Sequence, residues 1–361
     1  MRWVLRIFFI ALVVVAILFV PGTLYWRSRP VLRIYAWDGY LPPGLLNRFE
    51  LANQVRIKLT TYSSNEELLA RLKVSWDEFD VIMPSNYMVA QMVRYHLLER
   101  MNAESVPHIA NLSLDTLNGK VVPVGDEYYG IPYLGNYAGI GYNKKLVTKP
   151  PRTWSEFFSA SSATVYGPRL SLLDEPRETI GLALLAMGFS PNSRDPGELD
   201  KVRQMLQAED RAGAPTFVLE DGRELLERRR TELLATWSPE VALAAADDAD
   251  IGYIMPADGS ILTYDTLAVP SSSSHQELAM KFINYLLQPE IAREVTVYSG
   301  YFNSLRRDLD PLPSGLSLTP AFAVPPAGKS FVLTDVGDAQ YLYDTIWAEY
   351  RTHPEGTPTP R

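Results

Sequence analysis

Aromatic and acidic side chains occur together where the predicted strands of this chain end. Trp37, Asp38 and Tyr40 follow one strand-like segment, and Ser85 and Tyr87 follow another. Carboxylates make charge-assisted hydrogen bonds to ammonium groups, while aromatic faces cover methylene chains and attract cations. These residue types predict a site for an elongated cation.

The second half of the chain adds further acids at such positions. Glu175 and Glu178 lie three residues apart at a predicted helix start, so they face the same side. Trp237 and Glu240 have the same spacing, and Asp265 lies on a strand predicted to return between two halves of the molecule. We interpret all five as candidate ligand-binding residues.

Each candidate also has an ordinary structural interpretation. The two glutamates at 175 and 178 would complement a helix N-terminus, and Trp37 and Trp237 would be core residues. Tyr87 would pack at a helix start, and Asp265 would be a turn residue. Independent packing would not place all of them at strand ends, so their shared placement favours binding.

Other chemistry is nearly absent from the sequence. The 4 His are scattered without metal-ligand spacing, and the absence of Cys removes thiol nucleophiles and thiolate metal sites. We find no dinucleotide, phosphate-loop or nucleophile-elbow motif. The sequence therefore predicts no cofactor, no metal and no catalytic residue. A hydrolase using paired carboxylates is the enzyme alternative.

The elements that must position these residues alternate between strands and helices. Strands are predicted at Val31–Trp37, 54–62 and 80–83, and Ser64 with Glu67 predicts a capping box at a helix start between the last two. This order predicts a parallel, doubly wound sheet, in which ligands lie beyond the carboxyl ends of the strands.

The same pattern recurs further along the chain. The later strands are predicted at Leu170–Leu173, Leu233–Trp237, 251–255 and 264–269. Two α/β units joined by a crossover at 135–143 predict two lobes with a cleft between them.

Charge divides the chain unevenly. The 361 residues carry a net charge of −8, but residues 1–30 hold four Arg and no acid, which leaves −12 on the other 331. An acidic domain argues against a nucleic-acid partner.

The N-terminus contains a candidate membrane segment. Residues 7–26 form an uncharged stretch of 20 residues, and about 30 Å of helix is enough to span the hydrocarbon core. The residues after its apolar run make a poor cleavage site, which favours an uncleaved inner-membrane anchor over a cleaved signal peptide. We expect the remaining domain to be periplasmic.

The order and spacing of several segments resemble one family, the periplasmic spermidine/putrescine (polyamine)-binding proteins of ABC transporters. The matching segments are 34–46, 61–72, 80–87, 131–143, 172–178, 234–237 and 264–270, with further matches at 279–289 and 299–304. The resemblance covers about 31–350.

The resemblance implies an α/β, two-lobed type II periplasmic-binding-protein fold that closes on its ligand by a hinge. Lobe 1 would comprise 31–138 and 264–303, and lobe 2 would comprise 139–263 and 304–350. Residues 1–30 would be the anchor or signal peptide with a short linker, and 351–361 a flexible tail.

The implied ligand-binding set adds one residue from a Gly-Tyr pair, Tyr301, to the candidates above. The full set is Trp37, Tyr40, Ser85, Tyr87, Glu175, Glu178, Trp237, Glu240, Asp265 and Tyr301.

Three positions depart from the family pattern. Thr263 stands where an aromatic residue is common, Leu333 where a polar amide is common, and Asp38 where a small hydroxyl residue is usual. General polyamine recognition is expected to survive, while the particular polyamine stays open.

Two functions follow as hypotheses. The first is capture of a polyamine for delivery to an ABC transporter permease. The second is a membrane-tethered sensor that presents its closed form to a membrane signalling protein.

Overall fold

A computed structural model describes Trp3 and residues 28–75, 77–113, 123–124, 127–213, 215–218, 222–306, 308–309 and 325–352. The predicted membrane segment at 7–26 lies outside these residues, as does nearly all of the predicted tail. Within the described ranges, no helix is both long enough and apolar enough to cross a membrane.

The described chain alternates strands and helices over most of its length. The strands are β1 Val31–Trp37, β2 Arg56–Tyr62, β3 Val81–Ile82, β4 Pro123–Val124, β5 Glu127–Tyr128, β6 Ile131–Asn143, β7 Leu170–Leu173, β8 Thr216–Val218, β9 Leu233–Trp237, β10 Ile251–Ile254, β11 Ser260–Leu267, β12 Phe302–Asn303 and β13 Ser330–Val332. The α-helices are α1 Pro43–Asn53, α2 Asn65–Val74, α3 Asn86–Arg94, α4 Trp154–Phe157, α5 Ala160–Tyr166, α6 Pro176–Ala186, α7 Pro196–Gly213, α8 Gly222–Glu227, α9 Ser238–Asp247, α10 Gln276–Leu286, α11 Pro289–Ser299 and α12 Gln340–Arg351.

The first sheet has the order β2-β1-β3, and both of its pairings are parallel. Its strands therefore end at one edge, where α1, α2 and α3 begin shortly afterwards. The Ser64 hydroxyl caps α2 by accepting the Glu67 N–H at 3.1 Å. The Glu67 carboxylate accepts the N–H of Ser63 rather than that of Ser64. The predicted capping box therefore forms, except that Glu67 bonds the residue before the N-cap.

The second sheet has the order β13-β11-β6-β9-β7-β8. The pairings of β7 with β8 and β9 are parallel, whereas β6 is antiparallel to β9 and β11. The 13 residues of β6 pair first with β11 and then with β9 and β10. The predicted lobe boundaries at 138/139 and 263/264 fall inside β6 and β11, and the division into lobes stays a prediction.

Two large apolar clusters pack around these sheets. One contains residues of β1, β11, α10 and α11, and the other contains residues of β7, β9, α6 and α7. Burial of such apolar surface is the main favourable term in folding.

The end of α3 and the start of β11 are among the element boundaries that differ from the sequence predictions. The helical pattern of residues 88–101 predicts a single helix over that range. In the structure α3 ends at Arg94, because His96 adopts a left-handed backbone with φ of 56°. The Leu97 N–H then closes the helix end on the Met92 carbonyl at 3.0 Å. The strand predicted from 264 begins earlier, at Ser260.

Candidate binding site

Asp265 lies where the carboxyl edge of the first sheet meets β11. The Tyr40 hydroxyl donates to Asp265 Oδ2 at 2.5 Å, and the Ser85 hydroxyl donates to Oδ1 at 2.7 Å. Gly39, with φ of 71°, lets the chain turn after β1 so that Tyr40 faces Asp265. Burial raises the pKa of Asp265 to about 6, although both hydroxyl donors oppose that shift.

Asn65, which the sequence reasoning missed, holds two of the predicted residues in place. Its side-chain NH₂ donates to the Ser85 hydroxyl at 3.1 Å and to the Tyr87 hydroxyl at 3.0 Å. Its Oδ1 accepts the Ser85 N–H at 3.0 Å. Asn65 follows the end of β2, so the same strand-end rule identifies it once β2 is placed beside β1.

Glu178, in the first turn of α6, faces the first sheet. The Tyr87 hydroxyl lies 3.0 Å from Glu178 Oε1 and 3.2 Å from Oε2. The neighbouring Arg177 does not pair with it, since its guanidinium lies 4.4 Å from the Tyr343 ring centroid and donates to Asn192. Burial, followed by the charge of Glu66, raises the pKa of Glu178 to about 8.

Glu175 occupies the N-cap of α6 and lies among other acids. Its Oε2 is buried and has no hydrogen-bond partner among the described residues. Burial, then Glu178 and Glu66, raise the pKa of Glu175 well above its ordinary value. Glu66 of α2 is a further residue that the sequence reasoning missed. Desolvation near the other acids raises the pKa of its carboxyl group too, although the residue as a whole is exposed.

Aromatic rings line the same region. The Trp37 and Tyr62 ring centroids lie 4.6 Å apart, and the Trp37 indole donates to the Met83 carbonyl at 3.0 Å. The Tyr40 and Tyr301 centroids lie 4.7 Å apart. These contacts fix the orientation of Trp37 and Tyr40.

Trp237 and Glu240 lie at the end of β9. Trp237 is half-buried and pairs in register with Ala138 of β6. Glu240 accepts a hydrogen bond from the Thr236 hydroxyl and lies beside Gly222 of α8. These contacts put the Glu240 carboxylate on the face of β9 that packs on α8.

The three departures from the family pattern are also placed. Asp38 is exposed in the turn after β1, and the Leu333 side chain is fully buried. The Leu333 carbonyl accepts a hydrogen bond from the Asn86 side chain at 2.7 Å. Thr263 is buried on β11, two residues before Asp265.

The charge balance of this site defines its chemistry. Among the described residues, Glu175, Glu178 and Asp265 form no ion pair with Lys or Arg, and no His, Asp and Glu group there is arranged to hold a metal. Their raised pKa values reflect the cost of ionising several desolvated acids close together. A bound organic cation would remove that cost.

Two sheets with an acidic and aromatic site at their meeting edge are characteristic of a solute-binding protein. The chain belongs to the bacterial extracellular solute-binding protein family, which it matches over residues 44–310. This family contains substrate-binding proteins rather than enzymes.

Individual relatives are similar over most of their length. The spermidine/putrescine-binding periplasmic protein 1 of Haemophilus influenzae is 30% identical over 324 residues, 88% of each chain. The spermidine/putrescine-binding periplasmic protein of Escherichia coli K12 is 30% identical over 272 residues, covering 75% of this chain and 76% of that one.

The fold agrees with these similarities. The crystal structure of a spermidine/putrescine ABC transporter substrate-binding protein from Streptococcus pneumoniae matches with a TM-score of 0.73 and 25% identity. The match covers 90% of this chain and 99% of that one. The family resemblance inferred from the sequence is confirmed.

Proposed function

We propose that this protein captures a polyamine outside the cytoplasm and delivers it to an ABC importer. The carrying observation is a set of three carboxylates that have no basic partner among the described residues. Glu178 and Asp265 are buried, and Glu175 is half-buried with its Oε2 atom shielded from solvent. The relatives named above, which are spermidine/putrescine-binding proteins, support the same ligand class.

The carboxylates suit a ligand with charge at both ends. One ammonium group would bind Asp265, whose oxygens are oriented by Tyr40 and Ser85. The other would bind between Glu175 and Glu178. Each charge-assisted hydrogen bond contributes about 1.5–3 kcal/mol.

The aromatic residues would cover the methylene chain between the two ends. Trp37, Trp237 and Tyr301 remain half-buried, so each keeps some ring surface for contact with a ligand. Cation–π contact adds about 0.5–2 kcal/mol per favourable ring.

Ligand entry requires movement of the surrounding elements. Asp265 is 3% exposed and Glu178 is 2% exposed, so an amine reaches them only when the two sheets separate at their shared edge. We infer that β6 and β11 bend in this movement, because both cross the predicted boundary between the lobes.

The relatives support a periplasmic location and delivery to an ABC transporter, and the uncharged stretch at 7–26 supports an anchor. We propose a periplasmic domain held at the inner membrane by residues 7–26, acting with an ABC transporter permease. Fractionation tests the anchor: it predicts that the protein stays with membranes after a high-salt wash, and release into the soluble fraction would contradict it. The relatives named above give no support to the sensor alternative.

Calorimetric titration of the full chain tests the proposed ligand class. Putrescine, cadaverine and spermidine are the probes, and butanediol is the uncharged control for putrescine. We expect saturable binding by at least one amine and none by butanediol. Absence of binding by all three amines to a folded protein would refute the proposal.

A further inference from the structure

Two buried oxygen atoms near Asp265, on β11 and β6, lack a hydrogen-bond partner among the described residues. Thr263 is 2% exposed and Asn136 is 3% exposed. Within the described part of the chain, neither Thr263 Oγ1 nor Asn136 Oδ1 makes a hydrogen bond. Unpaired buried polar atoms are costly, and each calls for a physical reason.

Both oxygens lie on the sheet face that carries Asp265. Thr263 precedes Asp265 by two residues on β11, and the strand register is regular until after Asp265. Alternate residues of a strand point to the same face. Asn136 pairs directly with Thr263 across β6 and β11, so the two side chains are neighbours on that face.

The opposite face is occupied by different residues. The ring centroids of Tyr264 and Phe302 lie 6.2 Å apart, and a side chain added at Gly135 would collide with both rings. Gly135 and Tyr264 alternate with Asn136 and Thr263 along the two strands. The two unpaired oxygens are therefore directed away from this aromatic packing and towards the site.

We propose that Thr263 and Asn136 form an acceptor subsite for an interior secondary ammonium group, so that the protein prefers a triamine to a diamine. This subsite rests on the proposed polyamine function. A secondary ammonium has two N–H donors, one for each oxygen. The strand rise places Thr263 about 7 Å along β11 from Asp265, which suits two nitrogens separated by a short alkyl chain.

A comparison of two ligands isolates the interior nitrogen. Spermidine contains it, whereas diaminooctane has the same chain length and terminal ammonium groups with a methylene in its place. Calorimetry on the full chain is expected to show spermidine binding at least tenfold more tightly than diaminooctane. Equal affinities would overturn the subsite.

Variants assign this preference to the two residues. Thr263→Val and Asn136→Leu keep approximate side-chain size and remove the oxygens. Each is expected to weaken spermidine binding about tenfold, as for one charged hydrogen bond, while diaminooctane affinity changes less than about twofold. Equal weakening of both ligands, or of neither, would overturn the proposal.

Thr266→Val is the matched control on the same strand. The Thr266 hydroxyl donates to the Pro84 carbonyl at 2.8 Å, so its loss should lower the melting temperature and leave the preference for spermidine unchanged. Thr263→Val should not lower the melting temperature of the ligand-free protein, because its hydroxyl is unpaired there. A large drop would show a structural role and overturn the assignment.

The two proposals fail differently. If wild type binds none of putrescine, spermidine and diaminooctane, the polyamine function fails and the subsite fails with it. If wild type binds all three and Thr263→Val leaves the ratio of spermidine to diaminooctane affinity unchanged, the subsite alone fails.

Discussion

Glu178 and Asp265 are buried acids whose immediate partners are neutral hydroxyl groups. Tyr87 contacts Glu178, and Tyr40 and Ser85 contact Asp265. Hydroxyl donors orient a carboxylate without neutralising it. When these acids ionise, their negative charge is therefore left for a ligand cation to balance.

Replacement of Glu178 tests its contribution directly. Glu178→Gln keeps an acceptor for the Tyr87 hydroxyl but removes the charge. Calorimetry should show putrescine affinity reduced about 10- to 100-fold, as for the loss of a charged hydrogen bond of 1.5–3 kcal/mol.

A second buried acid serves as the control for this variant. Glu209 has a pKa raised by burial to about 8, and it accepts a hydrogen bond from Tyr350 at 2.8 Å. Glu209→Gln should leave putrescine affinity unchanged. Equal weakening by Glu178→Gln and Glu209→Gln would show that buried charge acts through stability rather than through the ligand.

The raised pKa values also predict a direction for the pH dependence of binding. Without ligand, Glu178 holds its proton up to a pKa of about 8 and Asp265 up to about 6. A cation favours the ionised acids, so binding releases protons. Primary amines, with a pKa near that of Lys at about 10.4, stay charged throughout.

Affinity for putrescine should therefore rise as the pH increases from 5.5 to 8, the range over which these two acids lose their protons. Titrations at several pH values, each in buffers of different ionisation enthalpy, measure both the affinity and the released protons. Affinity that falls with pH, or proton uptake on binding, would contradict the assignment.

Residue types and spacing were enough to identify part of this site. Glu178, Tyr40, Ser85 and Tyr87 were predicted from strand and helix ends, and Asp265 from its place on the returning strand. The structure links all five by hydrogen bonds, with Asn65 joining the two groups. Which acids bind ligand stays a prediction. The contact between Glu240 and Thr236 depends on how the first turn of α9 is oriented relative to β9. Residue spacing alone does not determine that orientation.

At the scale of elements, the start of α2 supports the start of α3. Asn65, the first residue of α2, bonds Ser85 and Tyr87 through both ends of its amide. The sequence reasoning treated the start of α2 as a capping feature only. Adjacent placement of β2 and β1 is a tertiary fact, and it gives Asn65 its positioning role.

Asn65→Ala should therefore affect both stability and binding. Loss of a buried amide with three hydrogen bonds is expected to cost about 1–3 kcal/mol of unfolding free energy. Putrescine affinity, measured by calorimetry, should also fall because Tyr87 and Ser85 lose their common support. The side chain of Asn284, in α10, accepts the His108 N–H. Asn284→Ala removes this hydrogen bond and should leave putrescine affinity unchanged. A binding loss in Asn284→Ala alone would contradict this role.

At the scale of the whole molecule, the parallel units were predicted and the central strand was only partly predicted. β1–β3 and β7–β9 pair in parallel, as the alternation of strands and helices indicated. β6 is buried on both faces over most of its length. A fully buried strand lacks the polar alternation that would reveal its length or its antiparallel partners.

Protein stability should couple to the same acids. A carboxyl group with a raised folded-state pKa stabilises the protein at low pH, and that contribution is lost as pH rises through the folded value. For Glu178 the loss extends to about pH 8. These groups should therefore contribute less to the unfolding free energy of the ligand-free protein at pH 8 than at pH 5.

Bound putrescine should offset the loss of stability that comes from the site acids, Glu178 and Asp265. The increase in melting temperature on adding a saturating amine, measured by scanning calorimetry, should be larger at pH 8 than at pH 5.5. Glu209→Gln should raise stability at pH 8 with and without amine, since Glu209 contacts Tyr350 of α12 rather than the site. A ligand-induced shift that shrinks as pH rises would contradict this coupling.

The most direct test of the account combines the two principal carboxylates. Putrescine would be titrated calorimetrically into the full chain at pH 8, as wild type and as the double variant Glu178→Gln with Asp265→Asn. We predict saturable binding of one putrescine per wild-type chain, and affinity reduced at least 100-fold in a folded double variant. Equal affinity of wild type and double variant, or no binding of putrescine, cadaverine or spermidine to folded wild type, would contradict the account.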